Sequence, residues 1–124
     1  MARILVIDDN DGVRSAVRRI LEPLGHVVEE ADDGAAGLAL LGDGGADLVI
    51  TDIFMPGQDG IVTVQRIRKE FPSVKMIAMS GGDSTGRIDL RRDAMLLGAA
   101  ASLRKPFERE ELLRVVEGVL NRVT

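Results

Sequence analysis

The chain has 124 residues, 45% of them hydrophobic and 29% charged, with a net charge of −4 and no cysteine. That length builds one compact domain (1–124) and excludes two, while the missing cysteines exclude disulfides, thiol catalysis and thiolate metal sites. No basic arm favours direct nucleic-acid binding, no apolar stretch suits membrane insertion or a signal peptide, and without Trp or Tyr little remains to stack on bases or flavins.

"RILVI" (Arg3–Ile7) is apolar almost throughout, as a strand buried on both faces requires. It runs straight into Asp8, Asp9 and Asp11, whose carboxylates repel one another more strongly as the local dielectric falls. From Asp11 to Gly25, Val13, Ala16, Val17, Ile20, Leu21 and Leu24 recur every three or four residues, with Arg14, Arg18, Arg19 and Glu22 opposite. This predicts an amphipathic helix, capped by Asn10 or Asp11 and ended by Pro23 and Gly25. "HVVEEA" (26–31) is a shorter, more polar strand suited to a place nearer a sheet edge, and His26, the lone histidine, reads as structural. Residues 33–45 form a small-residue helix broken by glycines, and "ADLVITD" (46–52) is a second deeply buried strand. Residues 59–71 put Ile61, Val64, Ile67 and Phe71 on one helical face, stopped by Pro72. "VKMIAMS" (74–80) is a fourth strand, 87–98 a helix and "AASLRK" (100–105) a fifth strand. A closing helix over 108–123 turns Leu112, Val116, Val119 and Val123 inward.

Five strand-plus-helix units with right-handed crossovers predict a doubly wound α/β domain, one parallel sheet with helices on both faces. In such a sheet the C-terminal strand ends share one edge, where ligands bind. Asp8 and Asp9 follow the first strand, Asp52 ends the third, Ser80 the fourth and Lys105 the fifth. Singly, each has an ordinary reading as a cap or turn residue; together they gather three acids, a hydroxyl and an ammonium. Clustered carboxylates without His or Cys suit a hard cation, Mg²⁺ before Ca²⁺, which would offset their repulsion. Lys105 and Ser80 could then hold a phosphoryl group, with a carboxylate as nucleophile. "SGG" is not followed by a phosphate-loop pattern, so nucleotide binding is not expected.

"VIDDN", "DLVITDIFMPGQDG", "MIAMSGG" and "LRKPF" resemble the receiver domain of bacterial two-component response regulators, over essentially the whole chain. The resemblance implies a flavodoxin-like sheet of order 2-1-3-4-5, as in stand-alone chemotaxis regulators, and a cytoplasmic switch rather than an enzyme. It makes Asp52 the phosphoacceptor, charged by a sensor histidine kinase or histidine phosphotransfer protein. It assigns Mg²⁺ to Asp8, Asp9 and Asp52 with the backbone carbonyl of Phe54. Ser80 becomes the hydroxyl that moves onto the phosphoryl group, and Lys105 its cationic partner, followed by a cis bond to Pro106. A downstream protein would read the face of the fourth helix, fifth strand and fifth helix. With nothing after Thr124, the chain reads as a stand-alone receiver or one excised from a longer protein.

Three departures carry consequences. Ser102 stands where the family usually has Tyr or Phe, so signalling is expected to run through the loop after Ser80 and the fourth helix. That loop, Gly81–Gly86, is glycine-rich and is expected to order on activation. Phe54 places an apolar group two residues past the nucleophile, beside the path of an attacking water. A small Asp-nucleophile phosphatase is the rival reading, but such enzymes need a second acid where Phe54 stands. A flavodoxin-like cofactor binder is disfavoured by the scarcity of aromatics.

Overall fold

A computed structural model describes residues 1–55, 58–81, 95 and 98–121. Five parallel strands form the main sheet: β1 (Arg3–Ile7), β2 (Val27–Ala31), β3 (Leu48–Asp52), β4 (Lys75–Ser80) and β5 (Ala101–Arg104). Their spatial order is β2-β1-β3-β4-β5, the expected topology, with the polar second strand at an edge. Helices α1 (Asp11–Leu21), α2 (Gly34–Gly44) and α3 (Gly60–Glu70) follow the first three strands, and a C-terminal helix spans Arg109–Leu120. Of the helix expected over 87–98 only Met95, which is helical, and Gly98, in a turn, are described; its other residues, the loop beyond Gly81 and Val123 lie outside the described residues.

The central strands are buried on both faces, and their alternation sorts side chains into two cores. Ile4 and Val6 of β1 join Val17 and Leu21 of α1 and Leu112, Val116 and Val119 of the C-terminal helix. Leu5 and Ile7 point the other way, onto Leu41 of α2 and Val64 and Ile67 of α3. Full burial of each such side chain contributes about 1.5–3 kcal/mol, which is what holds helices to both faces.

Some local expectations are corrected. Pro23 does not simply stop α1: a 3₁₀ turn, Glu22–Leu24, follows it and ends at Gly25 with φ of 91°. Leu24 is thereby rotated out and is 45% exposed. The glycines of 33–45 do not break α2. Gly37 is there because a Cβ would lie 2.4 Å from Ile7 Cδ1, so the small residue lets the helix close onto β1. "MPGQDG" is more than a turn, since Phe54–Met55 pairs antiparallel with Gln58–Asp59 as a short ribbon. His26 is structural as expected, its Nδ1 accepting the Ala2 backbone N–H at 3.1 Å.

Candidate functional site

The strand ends deliver the acids to one place because β1, β3, β4 and β5 run parallel and in register. Asp8 follows β1 and is fully buried, with every polar atom engaged. Its backbone N–H donates to Ala31 O at 3.1 Å, and its carbonyl accepts Arg14 Nη1 at 2.6 Å. Its Oδ1 accepts the Asn10 backbone N–H at 2.9 Å, and its Oδ2 accepts Lys105 Nζ at 2.8 Å. Asn10 also caps α1, its Oδ1 accepting the Val13 N–H at 3.0 Å. One short loop thus starts the helix and aims the carboxylate.

Asp52, the last residue of β3, is 2% exposed, and its Oδ2 accepts the same Lys105 ammonium at 3.1 Å. Lys105 therefore bridges two buried carboxylates from strands that are not neighbours of β5. Burial pulls its pKa down, but the hydrogen bond it donates to Asp8 and the charges of Asp52 and Asp8 outweigh that, and the net shift is upward. Asp9 stays exposed, yet one carboxylate oxygen from each of Asp8, Asp9 and Asp52 lies within 4.8 Å of the others. Three carboxylates against one ammonium leave an excess of negative charge, and an all-oxygen donor set of this kind fits a hard divalent cation. Ser80 closes β4, is buried, and accepts the Lys105 backbone N–H on its carbonyl at 3.0 Å. The Lys105–Pro106 peptide is cis.

The family model described as the response regulator receiver domain matches residues 4–117. This chain belongs to that family. It is 36% identical over 120 residues to the DNA-binding transcriptional regulator NtrC of Azospirillum brasilense, covering 97% of this chain and 24% of NtrC. To the response regulator MprA of Mycolicibacterium vanbaalenii it is 36% identical over 122 residues, covering 98% of this chain and 52% of MprA. The chain thus spans about a quarter to a half of the length of these curated relatives. The crystal structure of the receiver domain of NtrX from Brucella abortus superposes with a TM-score of 0.88 at 33% identity, covering 97% of this chain and 99% of that one. The chemotaxis response regulator CheY4 of Vibrio cholerae does so with a TM-score of 0.83 at 29% identity, covering 96% and 98%.

A receiver domain is the phosphorylation-dependent switch of two-component signalling, and the geometry of this one shows how local residues serve that edge. Gly60 opens α3 directly against the residue after Asp52. A Cβ there would lie 2.4 Å from Ile53 Cα and 2.5 Å from Ile53 O, backbone atoms that cannot swing away. Gly60→Ala is expected to destabilise this receiver by about 1–3 kcal/mol, as overpacking does, measured as a lowered midpoint in urea. Ser102, in place of the usual aromatic, sits half-buried on β5 opposite Ala78. No described helix is long and apolar enough to cross a membrane.

One contributor escaped the sequence reading. By spacing alone Arg14 belongs to the polar side of its helix, yet its guanidinium grips the Asp8 carbonyl. An arginine one turn into the helix that follows an acidic pair was the available signal.

Proposed function

We propose that this receiver domain accepts a phosphoryl group on Asp52, with Asp8, Asp9, Asp52 and the Phe54 carbonyl holding Mg²⁺ and with Lys105 and Ser80 binding the phosphoryl oxygens. The observation that carries this reading is the Lys105 ammonium shared between Asp8 Oδ2 and Asp52 Oδ2 beside Asp9. Mg²⁺, when bound, supplies charge neutralisation for an incoming phosphoryl group. Attack by a carboxylate oxygen of Asp52 on phosphorus forms an acyl phosphate and releases the donor's leaving group. No proton has to leave the nucleophile, so the site needs no general base and contains no histidine. Lys105 holds the developing negative charge and Ser80 donates a hydrogen bond to it.

Asp52 is nearly buried, so the donor has to present its phosphoryl group at the open side of the sheet edge. Val13, Ala16 and Ile20 of α1, with Pro106 and Phe107, line an open groove of 440 Å³ that Lys105 also borders. This groove is the apolar surface against which a histidine kinase or histidine phosphotransfer protein would rest. The switch then biases a two-state element read by a downstream protein, on the face of the fourth helix, β5 and C-terminal helix. For these 124 residues the reading is a cytoplasmic signalling module, not an enzyme that turns over substrate, with no direct nucleic-acid contact.

Incubation with acetyl phosphate and Mg²⁺ tests this. The chain is expected to take up one phosphoryl group, seen in its intact mass, and none when the metal is chelated. Multiple turnovers of a generic phosphate ester would favour an enzyme instead.

A further inference from the structure

Arg14 is a surface-helix residue whose side chain is only 12% exposed. Its three nitrogens go to three different segments. Nη1 donates to Asp8 O at 2.6 Å, Nε donates to Glu30 Oε1 on β2 at 3.1 Å, and Nη2 donates to Asp11 Oδ1. Glu30 is itself pinned from its other oxygen by Arg18 Nη1 at 2.8 Å. The bonds from Arg18 hold the Glu30 carboxyl below the usual carboxylate range, helped by those from Arg14 and opposed by burial.

The peptide bond makes the Asp8 carbonyl a handle on Asp9. The six atoms from Asp8 Cα to Asp9 Cα are coplanar, so fixing the Asp8 oxygen also fixes the direction in which the Asp9 Cα leaves. Asp8 is held by four separate bonds, whereas Asp9 is exposed. Its carboxylate nonetheless reaches within 4.8 Å of Asp8 and Asp52. A planar fork with donors in fixed directions is suited to bracing one carbonyl against a carboxylate on the next strand.

We propose that Arg14 is a positioning residue for the divalent-cation site, holding the Asp8–Asp9 peptide plane against Glu30 of β2 so that the exposed Asp9 carboxylate stays over the buried Asp8–Asp52 pair. This rests on the reading of Asp8, Asp9 and Asp52 as cation ligands. Groups that orient ligands from behind typically change metal affinity by about 10–100-fold when removed.

The test is calorimetric titration of Mg²⁺ into four proteins: the native chain, Arg14→Met, Glu30→Ala and Arg18→Met, each kept well below its own thermal midpoint. Arg14→Met is expected to weaken Mg²⁺ binding about tenfold, and Glu30→Ala, which leaves Arg14 in place without its brace, by less. Arg18→Met removes comparable ion pairs at the same helix but leaves the bonds from Arg14 to Asp8 and Glu30 in place, and its affinity should stay closer to the native chain than that of either other variant. A purely structural Arg14 would lower the midpoint and leave Mg²⁺ affinity unchanged, and that result overturns the proposal. Should Arg14→Met fail to fold, native affinity in Glu30→Ala overturns it instead. No Mg²⁺ binding by the native chain would overturn both this proposal and the function on which it rests.

Discussion

Asp52→Asn should abolish phosphoryl uptake from acetyl phosphate and Mg²⁺, while the native chain gains one group. The substitution keeps the shape of the side chain but replaces a nucleophilic carboxylate oxygen by an amide, which attacks phosphorus poorly. It also removes one of the two charges facing Lys105 Nζ, whose distance to Asp52 Oδ2 is 3.1 Å. Fold and label should therefore separate: the variant stays folded and does not react. Intact mass spectrometry of both proteins, with beryllofluoride binding as a second readout, checks this. Equal labelling would move the nucleophile role to another residue.

Lys105→Met has the largest expected effect on stability. The ammonium is the partner shared by two carboxylates that are 0% and 2% exposed as residues. Breaking a buried pair by removing one partner typically costs about 3–5 kcal/mol, because the remaining charge is left uncompensated. Lys105 keeps 19% of its side chain exposed, so the lower end applies, about 3 kcal/mol, or a fall in midpoint on the order of 10 °C. Mg²⁺ should recover more stability in the variant than it adds to the native protein, since no ammonium competes for the same oxygens. The pH dependence has a definite sign. Lys105 is held above its ordinary value of 10.5, so its contribution is fully present below that pH and is lost as pH rises through the raised value. On this account the gap between native and variant persists at neutral pH and narrows in strong alkali. Thermal unfolding with and without Mg²⁺ measures all three effects.

What the sequence showed was governed by burial. "RILVI" and "LVITD" are apolar runs cut off by acids, so their strand ends were sharp, and a parallel sheet gathers sharp ends on one edge. That is why Asp8, Asp52 and Lys105 could be placed together from strand order. Contacts that depend on backbone direction were hidden. Arg14 binds a carbonyl, and no pattern of side chains announces where a carbonyl will point. The apolar face of α1 was legible as a stripe, but not that Val13, Ala16 and Ile20 of it line an open groove beside Phe107 while Val17 and Leu21 are fully buried. Leu24 followed the same stripe and was misplaced, because the turn at Pro23 changes the helical phase by the time the chain reaches it. Gly37 looked like a helix breaker, and only the closeness of Ile7 explains it as a packing residue.

Titration of the native chain with Mg²⁺, followed by backbone amide shifts, tests most directly whether the acids at this edge act as a unit. The expected result is one saturable set of changes centred on Asp8, Asp9 and Asp52, carried to Lys105 through the oxygens it shares. Amides that stay unmoved at saturating Mg²⁺, or that move only away from those residues, would contradict the account.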